Sequence, residues 1–437
     1  MQTTSRSRIV TVFICGLMLV SMFFGAGNTI LPPMLSVEAG ENFWPAILGF
    51  LASGVLLPVA AIVAIAVSGR DLRQLANRGG VVFGTVFAVM VYLSIGAFYA
   101  LPRTGAVSFD TALASNWDVD SVWPRLIFNS LFFGLGLVLC WNPFRVLDTL
   151  GRFLTPILVL LLGLLITLSI VNWQRVPGPG VNNAFTSGLL EGYLTMDSLG
   201  ALAYGIVIVT ALRLRGFNTR TQLVRGASTA AIVAGIFLAA IYVGLALVGQ
   251  LVPGSRDYTA GAALLNDAAR LTMGPIGQAV FALIINLACL TTAIGLINAT
   301  GEFFHQLVPG LSYHAWASLF TVAAVLMASS GLETVMAIAA PVVAFLYPPA
   351  ITLIALTILE YVLPVRRAFY NTLRIPLWTA TVVSALLVVG WGSWLPLADA
   401  EIGWLLPTVI AALVGWALDR VRPNERSATR AGKKVTA

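Results

Sequence analysis

Three short stretches of this 437-residue chain place chemically useful residues inside otherwise apolar runs. The first is Ser21-Met22-Phe23-Phe24-Gly25-Ala26-Gly27-Asn28, continued by Thr29-Ile30-Leu31-Pro32-Pro33. The second is Asp197-Ser198-Leu199-Gly200-Ala201-Leu202-Ala203-Tyr204-Gly205, and the third is Asn286-Leu287-Ala288-Cys289-Leu290-Thr291-Thr292-Ala293. Glycines beside a polar residue weaken a helix in the middle of a run that would otherwise be continuous. A broken helix frees N–H groups at a half-helix N-terminus, where a carboxylate can dock, and carbonyls that can hold a small cation. Na⁺ is a hard cation suited to uncharged oxygens, and Thr291 and Thr292 with three released carbonyls make a five-oxygen shell. Each stretch also has a plainer use. Small residues let helices pack closely, and threonines in a helix bond back to the preceding turn. Asp197 can cap a half-helix, bind a ligand directly or carry a proton.

The elements that position these residues follow from composition. Hydrophobic residues make up 58% of the chain and charged residues 10%, with a mean hydropathy of +0.91. A soluble domain carries roughly 25% charged residues, so this chain lacks the polar surface to cover a globule. Its apolar runs reach about 20 residues or more, the length that crosses a hydrocarbon core as helix. Backbone in lipid must satisfy its own hydrogen bonds, which makes those runs helices; the alternating segments of an outer-membrane barrel are not seen. The expected fold is an all-α polytopic membrane protein of about twelve transmembrane helices in a lipid bilayer. Span one covers Ile9–Leu31, span three Val81–Leu101, span six Leu189–Leu212, span eight Ile276–Thr300 and span twelve Ile402–Ala417. A single transmembrane domain (1–420) precedes a basic cytoplasmic tail (421–437). The interrupted spans are one and six, as in a five-span repeat in inverted orientation: repeat one over about 8–175, repeat two over about 187–363, and extra helices over about 375–418.

Charge placement agrees. The net charge is +7, but the basic residues lie in short loops and the tail, a membrane-orientation pattern and not a nucleic-acid footprint. With both termini in the cytoplasm, only Arg103, Arg125, Arg175, Arg256 and Arg270 fall outside, and the longest connections, Pro102–Ser121 and Val252–Pro275, face outward. That orientation is the one expected of an inner (cytoplasmic) membrane protein. Cys15, Cys140 and Cys289 sit in apolar runs without metal-ligand spacing, and His305 and His314 flank a short loop. No P-loop, acyl-transfer triad or zinc motif is present, so an enzyme and a cofactor are not expected. A channel would need a charged ring or filter-like repeat, and a sensor would need a soluble output domain; the chain has neither pattern.

The run from Phe23-Phe24-Gly25-Ala26-Gly27-Asn28 to Leu31-Pro32-Pro33 closely resembles the bacterial branched-chain amino acid:cation symporter family, the BrnQ-like proteins. So do Ala39 to Phe50, Gly192-Tyr193-Leu194-Thr195-Met196-Asp197 and Ala288-Cys289-Leu290-Thr291-Thr292-Ala293. Thr29 departs from the aliphatic residue expected at its position. The resemblance implies import of leucine, isoleucine and valine by alternating access, coupled to Na⁺, or to H⁺ through Asp197. More distantly, the family is similar to sodium-coupled transporters with a five-plus-five inverted repeat (LeuT-like). By that similarity Gly25, Ala26, Gly27 and Asn28 bind substrate, with Asp197, Ser198, Gly200, Ala201 and Tyr204 from span six. The implied sodium ligands are the carbonyls of Ser21, Phe24 and Ala288 and the hydroxyls of Thr291 and Thr292. One coupled Na⁺ is expected, the oligomeric state being left open.

Overall fold

The computed structural model describes residues 5–114, 121–142, 149–174, 178–258, 260–363, 370–392, 394–398 and 402–421. The basic tail from 422 onward lies outside the described residues, as do Arg145, Arg175, Arg366, Arg367, Asp118, Asp120, Asp399 and Glu401. The described residues form helices and turns, with no strand among them. Nine of these helices are long and apolar enough to cross a membrane, ten if the bent pair Tyr313–Ser329 and Leu332–Ile338 counts as one span. The shorter apolar helix Arg8–Phe23 is additional. Large apolar side chains such as Leu131, Val138, Leu160 and Ile276 are more than two-thirds exposed on the outside of the bundle, where water would not be tolerated but lipid is.

Span one is two helices, α1 (Ser5–Phe23) and α2 (Ala26–Ala39), parted at Phe24 and Gly25. A Cβ on Gly25 would lie 2.9 Å from Thr292 Oγ1, so only glycine lets the break seat against span eight. Span two is α3 (Phe43–Leu51) and α4 (Leu57–Ser68), joined by a π-helical turn.

Span three corrects the sequence reading. After α5 (Val81–Leu93) and a π-helical turn at Ser94–Phe98, the chain bends at Tyr99 and continues as α6 (Ala100–Phe109). Every residue of α6 is buried, Arg103 included. Pro102 to Ala114 is therefore helix and not loop, and Arg103 is a buried residue of that helix and not an outside charge. Wide π turns in membrane helices often mark functional positions.

Span six also differs in detail. It consists of α9 (Ala184–Tyr193) and α10 (Asp197–Leu214), after α7 (Val122–Cys140) and α8 (Thr155–Asn172). The break lies at Leu194–Met196, ahead of Asp197, while Ser198 to Gly205 is continuous helix. Met196 holds φ at +62°, a left-handed conformation that costs a side-chain-bearing residue about 1–3 kcal/mol. It persists because Met196 is buried and its N–H is bonded to Tyr193 O. Next come α11 (Arg220–Leu251), the amphipathic segment Gly261–Met273, and α12 (Pro275–Leu307), which carries Thr291 and Thr292. The bundle closes with Tyr313–Ser329, Leu332–Val362, Asn371–Val388 and Leu405–Val421.

The outer half of span six is held on α3 by backbone-to-backbone contact. A Cβ at Gly188 would stand 1.9 Å from Ala46 O, and one at Gly49 2.0 Å from Phe185 O. Gly188→Ala should therefore lower the thermal unfolding midpoint of the detergent-solubilised protein, overpacking costing about 1–3 kcal/mol or more. Gly134→Ala, with nothing within 4 Å of its added Cβ, should leave the midpoint unchanged. Equal midpoints for the two variants would mean that α3 and α9 are not packed this closely.

Candidate functional site

The two helix breaks border one tight cavity, walled by Gly25, Asn28, Arg103, Asp197, Tyr204 and Thr292 among others. Its apolar wall includes Met22, Phe23, Ile95, Ala100 and Leu296. Asn28, in the first turn of α2, is fully buried and organises the polar side. Its Nδ2 donates to Asp197 Oδ2 and to Tyr242 Oη, both at 2.5 Å. Its Oδ1 accepts the N–H of Gly25 at 3.4 Å, a long bond to a donor exposed by the break. Tyr242, from α11, adds a bond from its hydroxyl to Asp197 Oδ2 at 3.4 Å. Its ring packs between Phe24 and Phe50.

Asp197 is the first residue of α10, and Met196 is the N-cap, without a side-chain cap bond. The Asp197 oxygen that bonds Asn28 and Tyr242 thus reaches across the bundle to span one and to α11, which is span seven. Tyr204 donates from Oη to Met22 O at 3.3 Å and packs on Phe23. A Cβ at Gly200 would meet the Tyr204 hydroxyl at 2.3 Å, so this glycine makes room for the phenol. Gly25, Asn28, Asp197, Gly200 and Tyr204 line the cavity. Gly27, Ser198 and Ala201 stand behind that wall. Ser198 donates to Ser53 O of span two, Ala201 is fully buried, and Gly27 lies against the Arg103 guanidinium. Ala26 opens α2 just after the break. Thr29, the departure from the expected aliphatic residue, turns its hydroxyl back to Gly25 O at 3.0 Å.

Three of the oxygens singled out for a cation, those of Thr292, Ser21 and Phe24, meet at the same break. Thr292 Oγ1 lies 3.2 Å from Ser21 O and 3.2 Å from Phe24 O. Those carbonyls belong to the C-terminal end of α1, where the dipole is negative and the next turn of helix is missing. Thr291 Oγ1 lies 2.9 Å from Ala288 O in the turn before it. Ser21 and Thr291 are fully buried.

Arg103 and Tyr242 are site residues that sequence reasoning did not find. Arg103 carries a charge that ends a hydropathy window, so it reads as loop. Tyr242 sits in an apolar span with no neighbouring polar residue to mark it. A second, larger space, a vestibule, is lined by Asp71, Arg73, Tyr92, Glu302 and Phe303. Tyr92 and Phe303 stack at 3.9 Å, and Tyr92 Oη donates to Ala203 O, where the two spaces approach each other.

Two broken helices meeting at a buried polar cavity, inside a bundle of membrane-crossing helices, form the kind of architecture on which transporters are built. The fold is that of Mhp1, a nucleobase-cation-symport-1 family transporter, whose closed, bromovinylhydantoin-bound structure superposes with a TM-score of 0.63 at 12% identity. The match covers 94% of this chain and 93% of that one. The chain belongs to the family described as branched-chain amino acid transport proteins, whose profile matches residues 8–422. It is therefore a multi-pass membrane carrier and not an enzyme. Branched-chain amino acid permease BrnQ of Corynebacterium glutamicum is 45% identical over 97% of this chain and 98% of its own length. The permease BrnQ of Bacillus subtilis is 38% identical over 94% and 97%.

Removing one partner of a buried carboxylate costs about 1–3 kcal/mol or more. Asn28→Ala should therefore lower the thermal unfolding midpoint more than Tyr242→Phe, which keeps the ring packing and the 2.5 Å bond from Asn28 to Asp197. A smaller effect for Asn28→Ala would show that Asp197 does not depend on span one.

Proposed function

We propose that the chain imports leucine, isoleucine and valine across the cytoplasmic membrane by symport with Na⁺, both termini facing the cytoplasm. The substrate class is supported by family membership and by the two relatives named as branched-chain amino acid permeases. The cavity wall of Met22, Phe23, Ile95, Ala100 and Leu296 suits an aliphatic side chain. Such a wall separates leucine from valine by only one methylene, about 1–3 kcal/mol, so broad selectivity among the three follows.

The observation that carries the coupling ion is the Thr292 hydroxyl, set 3.2 Å from each of two carbonyls at the broken end of α1. Without an ion, that hydroxyl donates to carbonyls that lipid-facing helix would leave unsatisfied. With Na⁺, its lone pairs turn to the cation, and Ser21 O, Phe24 O, Ala288 O and Thr291 Oγ1 complete an uncharged shell. Na⁺ binding then draws α1 onto α12 and shapes the cavity beside Gly25. In this reading the breaks open two five-span repeats, 8–175 and 187–363, whose relative rocking exposes the cavity alternately. The vestibule behind the Tyr92–Phe303 pair is its path to one side, and Asp71 and Glu302 attract the departing cation there.

Asp197 supports a second reading, H⁺ coupling, because it is a buried carboxylic acid held by Asn28 and Tyr242 at the cavity wall. We assign it instead to the substrate ammonium group, since the Thr292 cluster already provides for a coupling ion.

In proteoliposomes, labelled isoleucine should accumulate under an imposed Na⁺ gradient and not under a pH gradient alone. Thr292→Ala should raise half-saturating Na⁺ by roughly tenfold, the loss of about 1.4 kcal/mol, and Thr292→Ser should be milder. Accumulation driven by the pH gradient alone, or equal damage from Ala and Ser, would remove Na⁺ from the site.

Asp197→Asn keeps a carbonyl oxygen for Asn28 and Tyr242 but removes the charge. Leucine affinity should fall about 10- to 100-fold, the worth of one charge-assisted hydrogen bond, with half-saturating Na⁺ unchanged. If the variant still exchanges leucine but responds to neither gradient, proton coupling through Asp197 takes the place of sodium coupling.

A further inference from the structure

Arg103 is 5% exposed and lies at membrane depth in α6, where an unpaired cation is costly and points to function. Among the described residues it forms no ion pair. Its contacts are with neutral groups. Nη1 donates to the Tyr99 hydroxyl and to Leu194 O at 2.7 Å, and Nη2 donates to Thr195 O at 3.1 Å. The guanidinium lies over the Tyr99 ring, 4.6 Å from its centre. One end of the planar fork therefore grips the carbonyls released by the break in span six. The other edge is unused: Nε is buried and has no hydrogen-bond partner, and Nη2 has one N–H left after Thr195 O. That Nε–Nη2 edge is the side of a guanidinium that takes a carboxylate through two parallel bonds.

The position of this edge in the molecule narrows what it could hold. Arg103 and Asp197 line one cavity, yet the two side chains are not paired with each other. The flat face of the guanidinium rests on Gly27, where an added Cβ would come within 2.7–2.8 Å of Nη2, Cζ and Nη1. Gly27 is in the first turn of α2, whose N–H groups have no helical acceptors. A buried cation with free donors and a half-helix N-terminus thus meet at one wall, and a buried carboxyl group stands at another. This is the charge pattern of an α-amino acid in mirror image.

We propose that Arg103 is the receptor for the substrate α-carboxylate, donating from Nε and Nη2, while Asp197 takes the ammonium group. The assignment rests on the reading of the chain as an amino acid carrier. The guanidinium then has a dual attachment, to the break in span six at one end and to the substrate at the other. Substrate arrival would be felt directly by the Leu194–Met196 segment. The site would reject molecules that lack either charge, because one buried ion would be left without its partner.

The test is equilibrium binding of L-leucine and L-leucinamide to the purified full chain in detergent. Leucinamide keeps the ammonium group and side chain but has no negative charge. The wild type should prefer leucine by about 10- to 100-fold, the worth of a charge-assisted hydrogen bond. Arg103→Gln should lose that preference, weakening leucine by the same factor and leaving leucinamide within about threefold. Arg103→Lys, which keeps the charge without the fork, should fall between. Equal weakening of both ligands by Arg103→Gln would mean that Arg103 only braces span six, and would overturn the proposal. Unchanged leucine affinity would overturn it too, leaving the carboxylate to the α2 amides. Should Arg103→Gln fail to fold, the preference for leucine must still drop several-fold in Arg103→Lys, or the proposal falls. A wild-type protein that binds no branched-chain amino acid would overturn the carrier reading itself, and with it this assignment.

Discussion

The hydrogen bond from Asn28 Nδ2 to Asp197 Oδ2 joins the first turns of two half-helices, α2 and α10. Each of those half-helices begins at a break that a membrane interior would ordinarily forbid, because unsatisfied backbone in hydrocarbon costs several kcal/mol per group. The bond fixes the two breaks against each other, and Tyr242 locks the pair from span seven. The cavity, its charges and the gathered carbonyls all take their positions from that junction.

The backbone groups freed by the breaks are answered by side chains, each from a different span. Asn28 reaches back to the Gly25 N–H. Thr292 serves the carbonyls of Ser21 and Phe24. Arg103 serves those of Leu194 and Thr195. Every one of these side chains is also a group that could hold a solute or ion. An interior that satisfies its own backbone with the atoms that would bind cargo is poised between two sets of partners, and exchange between them needs little net free energy. The same tension explains the close fit around the breaks, where Gly25, Gly27 and Gly200 each yield their side-chain volume to a polar neighbour.

Outside the junction, close glycine contacts and side-chain bonds tie neighbouring spans together. The outer half of span six is seated on α3 with glycine contacts at backbone distance. Arg103 ties the end of that half-helix to α6, so α3, α6 and α9 behave as a connected body. The stacked Tyr92–Phe303 pair joins spans three and eight on the vestibule side.

How much of this was legible beforehand depended on whether a residue's chemistry stood out from its local surroundings. A composition of 58% hydrophobic residues with 10% charged residues determined a helical membrane protein, since lipid permits few other ways to satisfy the backbone. Glycines beside Asn28, the lone Asp197 and the paired threonines were visible because they interrupt apolar runs. Tertiary structure decided the rest. The break in span six fell before Asp197 because the cap geometry at Met196 depends on packing, not on the glycines that follow. Span three continued past Pro102 because the charge of Arg103 is accommodated by carbonyls some 90 residues away in the chain, a compensation no hydropathy window contains. Tyr242 was silent in its apolar span, and only the meeting of α2, α10 and α11 makes its hydroxyl part of the site. A sequence states which groups must find partners in the membrane; which partners they find is set by contacts between distant spans.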